Sequence, residues 1–330
     1  MNYRKFGNTD LLVSETGFGA WGIGGAVKIG NIPIGWGETD DKVSSKALLK
    51  AFDMGVNFYD TADFYGLGKS EEIIGKTFKN VKDVIIASKV GHRVGDGDII
   101  QLDYSKSHII SACEKSLKRL QRNEIDLYQL HSAKVSHLQQ GECIEAMERL
   151  KEEGKIRYWG ISLNTFDPYP EFNFLKNTGL CSSYQIVFNI INQKALNLIS
   201  EAEEINTGII ARMVLQFGLL TGNMNPNREF ESTDHRSFRL NQEFIDNVNQ
   251  TLQPLFAVAA KEGLSPIELA LSFPLWQKGI STIIPGIKTE SQAIENINSV
   301  LPYNEMLNKL IKQLYQEDLF KLTDLMQALG

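Results

Sequence analysis

Residues 57–66 read Asn57-Phe58-Tyr59-Asp60-Thr61-Ala62-Asp63-Phe64-Tyr65-Gly66, a short apolar run that stops at an acid, two small residues and an aromatic before glycine. Phe58 and Tyr59 suit a buried strand, Asp60 falls at its carboxyl end, and Gly66 permits a turn that folds Tyr65 back beside Asp60. A carboxylate and a phenol then share a small space. Free tyrosine keeps its proton up to a pH of about 10, so a phenol acting as an acid near neutrality needs a cation beside it.

The next strand-like run, Val84-Ile85-Ile86-Ala87-Ser88-Lys89, ends in such a cation, and the one after it, Ile125-Asp126-Leu127-Tyr128-Gln129-Leu130-His131, ends in a histidine. Taken singly, each residue has an ordinary reading: Asp60 as a turn or cap, Tyr65 as core, Lys89 and His131 as surface or loop groups. Together, at the ends of three successive strands, they resemble the aldo-keto reductase superfamily, whose Asp, Tyr, Lys and His tetrad matches Asp60, Tyr65, Lys89 and His131. The resemblance implies that these four are catalytic.

Working outward, the alternation of strand-like and helix-like segments is unbroken. Tyr3 to Ser14 reads as a hairpin turning at Gly7-Asn8-Thr9-Asp10, which in the resembled family plugs the bottom of a barrel. Helical spacing runs from Asp40 to Met54, from a Ser70 cap onward, from Ser107 to Gln121, from Cys143 to Glu153 and from Ala195 to Ile205. Strands five to eight are expected at 154–162, 184–188, 209–215 and 280–284. Gly91 to Tyr104 reads as a polar loop bordering a pocket, Gly218 to Arg239 as an insertion over the rim, and Tyr303 to Leu329 as a C-terminal helix. About eight β-α units favour a closed parallel barrel over an open sheet. The expectation is an α/β fold, a (β/α)8 TIM barrel with an N-terminal β-hairpin and an extra C-terminal helix, forming a single domain over residues 1–330.

Gly17-Phe18-Gly19-Ala20-Trp21-Gly22 satisfies the Rossmann pattern G-x-G-x-x-G literally. That pattern binds pyrophosphate only where the glycines turn straight into a helix, and residues 22–37, rich in Gly and Ile and holding Pro33, do not continue as one. The Rossmann reading is therefore set aside.

A Tyr-Lys-Asp-His site can donate a proton but carries no electrons, so a reduction needs a hydride carrier. The resemblance implies NADPH, with NADH less favoured, lying across the barrel mouth. Its carboxamide would be held by Ser162, Gln185 and Asn164, the last displaced one position because Leu163 stands where the family has asparagine. Arg212 replaces an aromatic ring that the family often sets against the nicotinamide; a guanidinium can stack or contact phosphate there, or form a salt bridge across the mouth. Met213, Leu215, Gly218 and Thr221 follow along the pyrophosphate. Gly286, Lys288, Gln292, Glu295 and Asn296 resemble the adenosine-phosphate segment, with Lys288 set to meet a ribose 2'-phosphate, although Thr289 and Gln292 equally suit a helix cap. Trp21 and Asp60 complete the expected cofactor contacts, and Trp21, with Trp36 and Tyr59, could wall the substrate pocket.

Bulk properties narrow the classes. The 330 residues are 42% hydrophobic and 22% charged, which suits a folded core, and a net charge of -6 argues against a nucleic-acid binder. Cys113, Cys143 and Cys181 lack metal-ligand spacing, so no metal site is expected. No apolar leader follows Met1 to Lys5 and no run is long enough to span a bilayer, so the expectation is an unprocessed cytoplasmic chain without membrane contact, a monomer or small homo-oligomer. The expected function is NADPH-dependent reduction of a small-molecule aldehyde or ketone with Tyr65 as general acid. The alternatives are an NADP(H)-binding regulatory or sensor subunit on the same fold, and a lyase or isomerase using Lys89 as a Schiff base.

Overall fold

Runs rich in Ile, Val and aromatic residues extend because branched and flat side chains pack well on a pleated surface. Eight of them, Phe18–Gly19, Phe58–Asp60, Ile85–Val90, Ile125–His131, Ile156–Ser162, Ser183–Val187, Gly208–Arg212 and Thr282–Ile284, form one sheet in which each pairs in parallel with the next in the chain. Bridges from Thr16 to Ile283 and from Gly19 to Gly286 join the eighth strand to the first and close the barrel. The computed structural model describes residues 1–222 and 224–329. Helices pack around the strands, among them Asp41–Asp53, Lys69–Phe78, Lys106–Leu120, Glu142–Glu152 and Glu290–Asn298.

Strand side chains alternate between the barrel interior and the helical shell, and this period of two sorts the interior into layers. Phe58, Ala87, Leu127, Ile210 and Ile284 form an apolar floor, against which Phe6, Leu11 and Val13 of the N-terminal hairpin are buried. Each such fully buried side chain stabilises the fold by about 1.5–3 kcal/mol. Gly7 permits the close fit: its φ is +55°, and a Cβ there would lie 2.5 Å from the Gly208 nitrogen. Two residues further along their strands, Asp60, Lys89, Gln129 and Arg212 follow Phe58, Ala87, Leu127 and Ile210, so the layer above the floor is polar.

Several segments differ from their expected form. Residues 91–104 are not a plain loop: His92–Gly95 and Ile99–Leu102 pair antiparallel around Asp96-Gly97-Asp98, where Gly97 and Asp98 take φ of 78° and 53°. Branched apolar residues on both sides of a glycine turn are a hairpin signal that the polar composition obscures. The seventh strand ends at Arg212, because Met213 turns at φ 56° and leaves the extended region, and the eighth begins only at Thr282. Ser70 does not cap its helix. Its hydroxyl bonds Thr61 and the Ala20 carbonyl, both at 2.8 Å, while Gly68 occupies the cap position. Tyr59 is no pocket wall: it is fully buried in the shell against Phe18 and Phe78. The C-terminal helix is interrupted, as Glu305–Leu314, a π-turn over Tyr315–Leu319, and Phe320–Leu329. The glycine-rich stretch after the first strand makes a short 3-10 turn at Gly22–Gly24 and no α-helix.

Candidate active site

Asp60 ends the second strand, and the chain then turns so that Tyr65 opens a 3-10 turn over Tyr65–Gly68. The turn depends on contact between two glycine backbones. Gly66 has φ +62°, and a Cβ on it would lie 2.1 Å from the Gly24 carbonyl oxygen. This close approach fixes Tyr65 relative to the loop that follows the first strand, and the Trp21 ring stacks on the Tyr65 ring at 5.7 Å.

Lys89 reaches the same point from the third strand. Its Nζ donates to Asp60 Oδ1 at 2.5 Å, to the Thr61 carbonyl at 2.8 Å and to the Tyr65 hydroxyl oxygen at 3.2 Å. Asp60 is 2% exposed and Lys89 0%. Burial by itself would lower the lysine pKa, but the Asp60 carboxylate and the Tyr65 phenol outweigh it and hold the ammonium above its ordinary range. The other carboxylate oxygen, Asp60 Oδ2, accepts from Gln185 Nε2 at 2.7 Å and from Gln129 Nε2 at 3.2 Å. Both charges are thus paired and hydrogen-bonded, which is the condition for burying them at tolerable cost.

His131 ends the fourth strand with its ring edge-on to Tyr65, centroids 6.0 Å apart. Burial first, then the nearby His92, Lys89 and Arg212, push its pKa well below the ordinary histidine value, so the imidazole is neutral. Asp60, Tyr65, Lys89 and His131 are therefore brought together at the carboxyl ends of consecutive strands, the face on which this fold carries its chemistry.

The expected cofactor residues lie around the same rim. Ser162 ends the fifth strand, in register with His131 on one side and Gln185 on the other. Gln185 gives its amide nitrogen to Asp60, while its buried Oε1 has no partner among the described residues. Asn164 is committed by its Oδ1 to the backbone nitrogens of Phe166 and Asp167 at 2.9 and 3.0 Å, so its carbonyl shapes the loop. Arg212 donates to the Leu163 carbonyl at 3.1 Å, and among the described residues no carboxylate closes a salt bridge with it. Met213, Leu215, Gly218 and Thr221 form the turns after the seventh strand, with the Gly218 nitrogen donating to the Leu215 carbonyl and the Thr221 hydroxyl to the Gly218 carbonyl. A Cβ on Gly286 would meet nothing within 4 Å, so the backbone there borders open space. Lys288 Nζ donates to the carbonyls of Trp36 and Glu38 at 2.9 and 3.3 Å. Thr289 caps the Glu290–Asn298 helix by accepting from the Gln292 nitrogen, and Gln292 Oε1 accepts from the Lys288 nitrogen. Glu295 is exposed, and Asn296 donates to the Gly286 carbonyl at 3.5 Å.

Three groups were not anticipated. Gln129 lies two residues before His131 on one strand, so the alternation that turns His131 inward also marks Gln129. His92 sits edge-on to His131 at 4.4 Å and was hidden by the loop reading of its segment. His235, from the insertion, packs between Trp21 at 4.4 Å and Trp36 at 4.5 Å. That contact carries the insertion across the rim to Gly35, whose carbonyl accepts from the His235 backbone nitrogen. No sequence pattern around His235 points to it.

Among the described residues no group of three or more His, Cys, Asp or Glu side chains could hold a metal ion, and no helix is long and apolar enough to cross a membrane. The sequence model of the aldo/keto reductase family matches residues 16–316. The uncharacterized oxidoreductase YqkF of Bacillus subtilis is 31% identical over 301 residues, 91% of each chain. A probable voltage-gated potassium channel subunit beta of rice, Oryza sativa subsp. japonica, is 26% identical and likewise covers 91% of each. Among solved structures, the holo form of aldo-keto reductase AKR11C1 from Bacillus halodurans superposes with a TM-score of 0.74 at 27% identity, covering 95% of this chain and 96% of that one.

Proposed function

The chain belongs to the aldo/keto reductase family, and from that premise we propose that this NAD(P)H-dependent oxidoreductase reduces aldehyde or ketone carbonyls with NADPH, using Tyr65 as general acid. The observation that carries the reading is the Lys89 ammonium bonded at once to Asp60 Oδ1, at 2.5 Å, and to the Tyr65 hydroxyl oxygen, at 3.2 Å.

The residues around the mouth suit a nicotinamide dinucleotide. Gln185 Oε1 is a buried acceptor without a partner, ready for an amide; Gly286 leaves room for close approach; Arg212 and Lys288 offer cations that close no salt bridge among the described residues. Ser162 and Gln185 would hold the carboxamide, the turns at Met213, Leu215, Gly218 and Thr221 the pyrophosphate, and Gly286 to Asn296 the adenosine end. When bound, the reduced cofactor supplies a hydride.

The chain supplies everything else. The neutral His131 imidazole donates a hydrogen bond to the substrate carbonyl oxygen and orients it beside the Tyr65 hydroxyl. Tyr65 gives that oxygen its proton as negative charge develops there. The Lys89 ammonium then faces the phenolate oxygen left behind and stabilises its charge, in a setting with little water to screen it. Asp60 keeps the ammonium in place, and Gln129 and Gln185 keep Asp60 in place.

NADPH is favoured over NADH because the Lys288 ammonium lies beside the start of the Glu290–Asn298 helix and, among the described residues, hydrogen-bonds only to the Trp36 and Glu38 backbone carbonyls. A ribose 2'-phosphate would meet both that charge and the helix N-terminus. Similarity to a potassium-channel subunit supports a second reading, a regulatory subunit that binds NADP(H) without sustained turnover. One experiment separates the two: NADPH consumption against a panel of aldehydes and ketones, run for the wild type and for Tyr65→Phe, with NADPH binding followed by fluorescence. The reductase reading expects turnover that Tyr65→Phe abolishes while binding persists. Binding without any turnover selects the regulatory subunit.

A further inference from the structure

The contact between Tyr65 and Lys89 inside the barrel has a counterpart outside it, in the helical shell. Side chains alternate along the third strand, so Lys89 points into the barrel and its neighbour Ser88 points out. The Ser88 hydroxyl donates to Glu71 Oε1 at 2.5 Å, and Glu71 Oε2 accepts from Arg119 Nε at 2.6 Å. Ser88 and Glu71 are both fully buried. Glu71 stands in the first turn of the Lys69–Phe78 helix, whose cap position is Gly68, the last residue of the turn that Tyr65 opens.

Arg119 reaches Gly68 as well. That glycine has φ +99°, and a Cβ on it would lie 2.7 Å from Arg119 Cδ and 2.8 Å from Arg119 Nε, so the base of the guanidinium rests directly on the Gly68 backbone. The arginine is fixed at its own end too. Its Nη2 donates to Ser116 Oγ at 3.1 Å, and a Cβ on Gly75 would lie 2.2 Å from the Arg119 carbonyl oxygen, which puts the Lys69–Phe78 and Lys106–Leu120 helices in backbone contact there. A closed circuit results. It runs from the Tyr65 hydroxyl to Lys89 Nζ, back one residue to Ser88, across Glu71 and Arg119 to Gly68, and along the turn to Tyr65.

We propose that Arg119 and Glu71 are positioning residues for the reduction: their ion pair sets how far the turn carrying Tyr65 stands from the strand carrying Lys89. This rests on the reductase reading above. Both side chains lie in the shell and act through Gly68 and Ser88. A buried ion pair adds little net stability over apolar residues of the same volume, whereas a carboxylate held at both oxygens defines a single geometry. Here that geometry joins the two segments between which a proton donor and its supporting cation must stay in register, and a displacement of about 1 Å in such a site can cost a hundredfold in rate.

The test follows the proton step. Single-turnover oxidation of bound NADPH by the best substrate of the carbonyl panel is measured in light and heavy water for the wild type, for Arg119→Lys, and for the double variant Arg119→Met with Glu71→Gln, which strands no charge. Fluorescence titration with NADPH counts the folded sites. Per site, the double variant is expected to react about tenfold more slowly and with a larger solvent isotope effect, because a displaced Tyr65 delays the proton, while the affinities for NADPH and carbonyl stay within about twofold. Arg119→Lys keeps the ion pair without the flat contact on Gly68 and is expected to fall between the two. A rate per site equal to the wild type, or a slower one with an unchanged isotope effect, overturns the proposal, since lost stability lowers the number of sites and leaves the proton step alone. Should the double variant not bind NADPH, Arg119→Lys decides by the same two criteria. If the wild type oxidises NADPH with no carbonyl of the panel, the reductase reading itself has failed; turnover that the shell variants leave intact sinks only the role of Arg119 and Glu71.

Discussion

Gln185 Nε2 donates to Asp60 Oδ2 at 2.7 Å, a bond from the sixth strand to the second across the barrel interior. The glutamine thus has two faces: a nitrogen that fixes the buried acid, and an oxygen left free. Replacing it by leucine keeps the bulk but strips one hydrogen bond from a buried carboxylate, a loss of about 1.5–3 kcal/mol. Urea unfolding of Gln185→Leu is expected to show a lower midpoint with an unchanged slope. Stability equal to the wild type would mean that Gln129 and Lys89 hold Asp60 without help.

The Lys89 and Asp60 pair should show the asymmetry of buried charges. Lys89→Met leaves a carboxylate that is 2% exposed without its cation, and breaking one side of such a pair costs about 3–5 kcal/mol. Asp60→Asn in the same chain removes the stranded charge and keeps a group that Gln129 and Gln185 can meet. The double variant is therefore expected to be more stable than Lys89→Met alone, though inactive. Simple addition of two losses in denaturant unfolding would contradict the account of the network.

Acid sensitivity follows from the buried histidines. Burial pushes the pKa of His235, which is 2% exposed, down to about 4, and that of His92 to the same value. An unfolded chain protonates these rings near pH 6.5, the free histidine value, at roughly that pH. Between about 6.5 and 4 the unfolded chain binds protons that the folded one does not, so stability falls as pH is lowered through that window. Below it both states are protonated and these groups add no further slope. For His235 the full effect is on the order of 3 kcal/mol. His235→Phe, which keeps the ring between Trp21 and Trp36, should flatten the wild-type profile measured by unfolding from pH 7 to 4; an unchanged slope would refute the assignment.

Sequence and structure agree where one local rule governs. Phe58 to Asp60 and Ile125 to His131 read correctly because alternation along a strand needs no partner to be seen, and the acid, lysine and histidine at the strand ends follow from it. Gln129 is legible by the same rule, since it lies two residues before His131 on one strand and so faces the same interior. His92 was hidden because Val94, Ile99, Ile100 and Leu102 pair only across a turn, which a segment judged by polarity does not reveal. His235 owes its position to a contact with Trp21, far away in the chain, and no local pattern encodes such a contact. Asn164 and Lys288 show a different limit: the groups with which they bond are loop nitrogens and carbonyls that only coordinates identify.

Gly66 offers a test of how tightly Tyr65, the general acid of the proposed mechanism, must be positioned. An alanine there would have to hold φ near +62° and fit a methyl group 2.1 Å from the Gly24 carbonyl oxygen, which is backbone and cannot swing aside. The conformation alone costs about 1–2 kcal/mol for a residue with a side chain, and the collision adds to it. Because Tyr65 is the adjacent residue, the strain is relieved by moving the phenol away from Lys89 Nζ. Gly66→Ala is expected to lose kcat by about a hundredfold or more, the scale of a small misplacement in an oriented site, while binding of the nicotinamide cofactor is largely retained. Gly97→Ala is the matched control: its φ is +78°, but among the described residues nothing lies within 4 Å of the added carbon. That variant should lose some stability and little activity. If the two substitutions reduced kcat equally, the glycine contact would not be what holds Tyr65 in place.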